Sequence, residues 1–135
     1  MATRRSENDP QFEISFYESL LRKSPNFIEA LMCLGDLYTT QGYYEKGLRV
    51  DERLAELRPD DPTVFYNLAC SYSLMNEVAA AESAIKRSIE LGYEDFEHMQ
   101  KDPDLLNLLS TEEFQAFFKQ AREKANRRMR KGEKV

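Results

Sequence analysis

The sequence predicts an all-α protein built from helix-turn-helix repeats, and three observations lead to that prediction. Apolar residues recur every three or four positions along most of the 135-residue chain, which is the period of an amphipathic helix. The stretch KSPNFIEALMCLGDLY at 23–38 has a counterpart in LRPDDPTVFYNLACSY at 57–72, with Pro, Leu and Tyr at matching positions. No pair of alternating apolar runs is joined by a hairpin turn, which argues against a sheet.

The first helix is predicted to begin at Asp9-Pro10, because Asp is a good N-cap and Pro suits the first helical position. Ser24-Pro25 ends it, since Pro disfavours helical geometry in the residue before it. The apolar stripe of this helix comprises Phe12, Phe16 and Leu20, widened by Tyr17 and Leu21.

Four further helices are predicted in two pairs. The first pair spans roughly 27–40 and 43–57 with Gly42 in the turn, and the second pair runs from Asp61-Pro62 to Gly92. Asn76 occupies the position in the second pair that Gly42 occupies in the first, and Asn is the non-glycine residue that best tolerates a left-handed backbone. The apolar stripes are Leu31, Leu34, Gly35 and Tyr38; Leu48, Asp51, Leu54 and Leu57; Phe65, Leu68, Ala69 and Tyr72; and Ala81, Ala84, Ile85, Ser88 and Leu91.

These positions resemble the pattern of the tetratricopeptide repeat, in which helix pairs recur every ~34 residues. Counted from Ile28, the first copy has Leu31, Leu34-Gly35, Tyr38, Gly47, Asp51, Leu54 and Pro59. Counted from Pro62, the second has Phe65, Leu68-Ala69, Tyr72, Ala81, Ile85 and Ser88. Asp51 stands where an aromatic residue is usual, and Leu54 where Ala is usual. The resemblance covers about residues 10–92 and implies a right-handed solenoid of about two and a half repeats.

The segment after Gly92 departs from the repeat, because Asp102-Pro103 would fall inside a helix. Two short helical turns are predicted at about 94–100 and 103–109, and then a capping helix over 110–126 that begins with a capping box from Ser110 to Glu113. The predicted organisation is a flexible N-terminus (1–9), a single domain (10–126) and a flexible basic tail (127–135). The domain comprises a half repeat (10–27), repeats at 28–61 and 62–95, and a capping segment (96–126).

Composition argues against several classes of protein. No run approaches the ~18 apolar residues of a membrane span. The N-terminal stretch MATRRSENDP has no apolar segment behind its basic residues, so no secretory signal is predicted. Two cysteines, Cys33 and Cys70, do not make a disulfide framework. The sequence therefore predicts reduced thiols and a cytoplasmic protein.

No constellation of residues predicts catalysis. His98 is the single histidine, and one His with two separated Cys lacks the spacing of a zinc site. A glycine-rich phosphate loop is also missing from the sequence. The chain is predicted to be no enzyme and to need neither a metal nor a cofactor.

The resemblance implies a binding surface instead, because in this family the first helix of each repeat lines a concave groove for peptides. The groove positions are Glu29, Met32, Asp36, Thr39 and Thr40 in the first copy, and Thr63, Tyr66, Asn67, Cys70, Ser73 and Leu74 in the second. We expect a scaffold or adaptor that binds a short basic or neutral peptide, or a helix. Some relatives clamp a chaperone's terminal carboxylate with Lys and Asn residues. Asn67 fits that clamp, but Met32 and Asp36 replace its first Lys and Asn.

The charge distribution supports an alternative. Residues 1–118 carry 22 acidic and 11 basic residues, whereas residues 119–135 carry two acidic and eight basic ones. Arg127, Arg128, Arg130 and Lys131 suit the phosphates of RNA or an anionic lipid surface. Interleaved aromatics are missing there, which argues against base stacking. A homodimer through the aromatic final helix is a further option.

Overall fold

The computed structural model describes residues 9–132, which form eight α-helices and contain no strand. The chain divides into two compact units at Pro59–Asp60, where the sequence predicted one domain over 10–126. The division lies two residues before the predicted repeat boundary. Repeat chains pack each element against its neighbours rather than around one central core, so a loop between repeats is where compact units separate.

The first unit contains α1 (Pro10–Lys23), α2 (Ile28–Thr40) and α3 (Tyr44–Leu57). The N-cap of α1 is Asp9, as predicted, and its carboxylate accepts a hydrogen bond from the backbone N–H of Gln11 at 3.0 Å. Gly42 has a φ of +88° in the turn between α2 and α3, a conformation that glycine adopts without steric cost.

The core of the first unit corrects the predicted stripe of α1. Ile14 is the buried residue of this helix and packs with Leu34 and Tyr38. Phe12 and Phe16, predicted to be on the apolar face, are 45% and 49% exposed. Helix α1 packs against α2 along one face only. The predicted apolar stripe is wider than this face, so its outer residues lie in solvent.

Small residues allow α2 and α3 to approach each other closely. A Cβ placed on Gly47 would lie 2.6 Å from Thr39 Oγ1, and one placed on Gly35 would lie 3.1 Å from Asp51 Oδ1. Asp51, the departure from the repeat pattern, is buried. Its carboxylate therefore lies against the glycine face of α2, where a bulky ring would need more space.

The second unit begins with α4 (Pro62–Leu74) and α5 (Val78–Glu90). Asp61 caps α4 by accepting a hydrogen bond from the backbone N–H of Thr63 at 2.9 Å. Asp9 makes the equivalent hydrogen bond in α1. Asn76 has a φ of +61° in the turn, as its alignment with Gly42 predicted. Ser88 Oγ donates to the carbonyl of Pro62 at 2.7 Å and joins the two helices.

The capping segment forms α6 (Phe96–Lys101), a 3₁₀ turn (Pro103–Leu105), α7 (Leu106–Leu109) and α8 (Glu112–Arg130). The predicted N-cap of the last helix, Ser110, is wrong by one residue. Thr111 Oγ1 accepts from the backbone N–H of Phe114 at 3.2 Å, whereas Ser110 Oγ donates back to the carbonyl of Leu106. Ser110 completes α7, so Thr111 is the first residue free to cap α8.

The last helix also continues beyond its predicted end at 126. Arg127, Arg128 and Arg130 form its final turn, where cations favour the negative end of the helix dipole. Most of the predicted flexible ends, residues 1–8 and 133–135, lie outside the described residues. Among residues 9–132, no helix combines the length and apolar character needed to cross a bilayer.

Candidate functional site

The predicted groove residues of the first unit lie on the outward face of α2. Glu29, Met32 and Asp36 are exposed, and Met32 retains 37% of its accessible surface. Thr39 is half-buried and lies beside Gly47, so it belongs more to the α2–α3 contact than to an open surface. The exposed face therefore presents one apolar side chain between two carboxylates.

Cys33 adds a thiol to this face. It is a free, exposed cysteine next to Met32 in sequence. Its hydrogen bond with Tyr17 of α1 raises the pKa of that phenol. The bond joins α1 to the exposed side of α2 and restricts the orientation of the thiol.

The equivalent face of α4 is covered by the chain itself. Tyr66, predicted to be the aromatic anchor of the groove, is only 4% exposed. Its hydroxyl donates to Asp102 Oδ2 at 2.6 Å, and its ring stacks on Tyr93 with centroids 4.4 Å apart and planes 5° apart. Burial and the bond to Asp102 raise the pKa of Tyr66, so the phenol remains a neutral donor.

Two further predicted residues are buried in the same contact. Cys70 is 8% exposed, and its sulfur lies 3.8 Å from Asp102 Oδ2. Ser73 is fully buried, and its carbonyl accepts from Asn107 Nδ2 at 2.8 Å. Tyr66, Cys70 and Ser73 are therefore not open to a peptide in this structure, which corrects their predicted exposure. Thr63 and Asn67 remain at least partly exposed on α4.

Asp102 is the central residue of this contact, and the sequence analysis did not identify it. Its Oδ1 accepts from the backbone N–H of Asp104 at 3.0 Å, and its Oδ2 lies 3.4 Å from His98 Nε2. The departure from the repeat at Asp102-Pro103 was the available signal. It indicated a change of structure there, but a local pattern does not identify a contact with a helix that is distant in the sequence.

Cys70, Asp102 and Asp104 bring three potential metal ligands within 4.8 Å of one another. Both carboxylate oxygens of Asp102 already accept hydrogen bonds, from Tyr66 and from the backbone of Asp104. These two hydrogen-bond donors therefore account for the orientation of the Asp102 carboxylate.

The residues of the predicted basic tail lie along α8 and just after it. All four, Arg127, Arg128, Arg130 and Lys131, are exposed, and Arg128 pairs with Glu94. A groove of about 380 Å³ separates α8 from α5, and Lys124 and Arg128 are among its lining residues. Sequence reasoning identified the cations but not the groove beside them.

Comparison with known proteins supports the fold. No protein-family model matches the chain. It is 35% identical over 86 residues to a curated chloroplastic protein of Arabidopsis thaliana, a match that covers 62% of this chain and 26% of that protein. The chain therefore corresponds to about a quarter of the length of that curated relative.

Solved structures match most of the chain. A MamA fragment described as 41-end, from Desulfovibrio magneticus RS-1, has a TM-score of 0.68 at 20% identity, covering 90% of this chain and 66% of the fragment. A second MamA crystal structure has a TM-score of 0.63 at 21% identity, covering 93% and 81%. Identities this low concern the fold alone. Together with the repeat positions, they confirm the predicted class: the chain has the all-α helix-turn-helix fold of tetratricopeptide-repeat proteins.

Proposed function

We propose that the chain is a non-catalytic protein-interaction scaffold that binds a short peptide or helix on the exposed face of α2. The observation that carries the proposal is the contrast between two helices at equivalent repeat positions. The face of α4 is occupied by residues of the capping segment, while Met32 and its neighbouring carboxylates on α2 are open. A repeat face that binds a segment of its own chain is a suitable surface for a peptide.

The chemistry of α2 favours a basic or neutral ligand. Glu29 and Asp36 are seven positions apart, about 10 Å along the helix axis, and Met32 lies between them. The helix Ile28–Thr40 contains no Lys or Arg, so nothing on it offsets these charges. Met adapts its shape to an apolar partner. A peptide with an apolar side chain flanked by Lys or Arg would match the face.

The small area of one helix face limits affinity. A second binding surface, a homodimer or a larger complex would supply avidity without any new contact at α2. Thr63 and Asn67, which are exposed on α4 in the second unit, stay predicted binding positions of that unit and form no part of the α2 site. A cytoplasmic location stays a prediction, and the curated relative is a chloroplastic protein.

The two alternatives have weaker support. A carboxylate clamp needs a Lys where Met32 stands and an Asn where Asp36 stands, and the negative charge of Asp36 would repel a carboxylate ligand. Binding of RNA or an anionic surface through Arg127 and Arg130 has charge in its favour but lacks aromatic side chains for stacking beside it.

A charge reversal tests the proposal. A peptide array would present a central leucine or phenylalanine flanked by lysines, by glutamates or by serines. We expect the wild type to prefer the lysine-flanked peptides, and Asp36→Lys to weaken that binding by about tenfold, since a reversed charge acts directly at the contact. Glu77→Lys makes the same charge change at an exposed position of the second unit and should retain binding.

Circular dichroism would confirm that both variants are folded. Equal binding by wild type and Asp36→Lys would contradict the proposal, as would a preference for glutamate-flanked peptides.

A further inference from the structure

The groove between α5 and α8 is a second surface, separate from the α2 face and contained within the second unit. Its volume is about 380 Å³, within the range of ligand-binding pockets. Ile89 contributes to its wall from α5, and Phe117 and Ala121 contribute from α8. All three side chains are only half-buried, so the groove offers apolar surface that remains partly in contact with water.

Three basic residues (Lys86, Lys124 and Arg128) and two acidic ones (Glu90 and Glu94) line the groove around this apolar surface. Lys86 Nζ lies 4.9 Å from the centroid of the Phe117 ring and pairs with Glu82 at 2.9 Å. Arg128 pairs with Glu94. Lys124 also lines the groove, and it has no ion pair among residues 9–132. A carboxylate brought to Lys124 would therefore gain a partner without breaking an existing one.

The charge extends along the helix beyond the groove. Residues 119–131 contain seven basic residues and one acidic residue. Lys124, Arg128 and Lys131 are spaced by four and three, so they continue the stripe of Phe117 and Ala121 on one side of α8. From Phe117 to Lys131, the C-cap residue, this side measures about 21 Å, at a rise of about 1.5 Å per residue. Its first part is apolar and its second part is cationic.

We propose that this side of α8 and the groove beside it bind an acidic amphipathic helix of a partner protein. Apolar side chains of the partner would enter between Ile89, Phe117 and Ala121, as in other helix-in-groove complexes. Its carboxylates would lie along Lys124, Arg128 and Lys131. The phosphate backbone of a nucleic acid offers negative charges but no apolar groups to fill the groove. A fatty acid offers an apolar chain but only one negative charge, whereas the stripe presents several cations. An acidic amphipathic helix offers both. The proposal is independent of the α2 face and assigns the basic stretch to a protein partner.

The test uses the full chain and a synthetic probe in fluorescence anisotropy. The probe is a fluorescein-labelled helical peptide with a leucine stripe that continues, on the same side, as a row of glutamates. One control peptide has the same composition in scrambled order, and a second has lysines in place of the glutamates. We expect the acidic striped peptide to bind and both controls to bind at least about tenfold more weakly, since the groove requires both apolar and charged contacts.

Matched variants locate the site. Lys124→Glu should weaken binding of the probe by about tenfold, whereas Lys119→Glu should change it by less than about twofold, because charge at a contact matters more than the same charge elsewhere. Lys119 is exposed and does not line the groove. Ala121→Gln, which obstructs the groove without changing the net charge, should also weaken binding. Thermal melting would establish that each variant folds.

Several outcomes would overturn the inference. Equal losses with Lys124→Glu and Lys119→Glu would show a response to net charge rather than to a site. Equal binding of the scrambled peptide would exclude a helical stripe. Tighter binding of an RNA oligonucleotide or of phosphatidylserine vesicles, lost with the same Lys124→Glu change, would assign the surface to a different partner. Asp36→Lys should leave binding of this probe unchanged, so the inference can fail or hold independently of the α2 proposal.

Discussion

At the scale of single residues, one carboxylate organises the covered face of α4. Asp102 accepts from the Tyr66 hydroxyl at 2.6 Å and from the backbone of Asp104 at 3.0 Å. The Tyr66 ring is independently held by its stack on Tyr93. The hydrogen bond and the ring contact can therefore be removed separately.

Tyr66→Phe should destabilise the protein while keeping the ring stack. The loss of a buried hydrogen bond to a carboxylate is expected to cost about 1.5 to 3 kcal/mol of unfolding free energy. Tyr66→Ala, which also removes the ring, should cost more because it leaves a cavity. Urea unfolding of the three proteins measures both differences. An unchanged midpoint in Tyr66→Phe would show that the bond to Asp102 contributes nothing to stability.

At the scale of elements, local sequence chemistry predicted helix ends well where one strong cap was present. Asp9 and Asp61 cap α1 and α4 as predicted, because Asp followed by Pro favours a single start. Adjacent Ser110 and Thr111 offered two candidate caps for α8. Which of them caps α8 depends on where α7 ends. Tertiary packing sets that end, and the local sequence at 110–111 does not specify it.

Alanine substitution distinguishes the two candidate caps. Thr111→Ala should lower the unfolding free energy by about 1 kcal/mol, the usual cost of losing an N-cap side chain. Ser110→Ala removes an exposed bond to the carbonyl of Leu106 and should cost clearly less. Denaturant unfolding of the two variants beside the wild type measures which substitution lowers the unfolding free energy more. A larger loss in Ser110→Ala would restore the predicted capping box.

At the scale of the whole molecule, the repeat period predicted the fold class and the positions of the main helices. It also identified the exposed face of α2, because helical periodicity places Met32 opposite Leu34 and Tyr38. It failed for α4, where Tyr66, Cys70 and Ser73 are buried. Tyr66 and Cys70 meet Asp102, which is distant in the sequence, and periodicity describes one helix at a time. The groove beside α8 was missed for the same reason.

The face of α2 is open, while the equivalent face of α4 is covered by the capping segment. The chain carries one thiol on each: Cys33 is exposed and Cys70 is buried. Thiols react according to their exposure and ionisation, so native labelling with a maleimide, followed by peptide mapping, tests the claim without any substitution. Denatured protein, in which both thiols should react, serves as the control.

We predict that Cys33 is modified rapidly in the folded protein and that Cys70 reacts only as the second unit opens or unfolds. Modification of Cys70 as fast as Cys33 under native conditions would show that the capping segment does not cover α4.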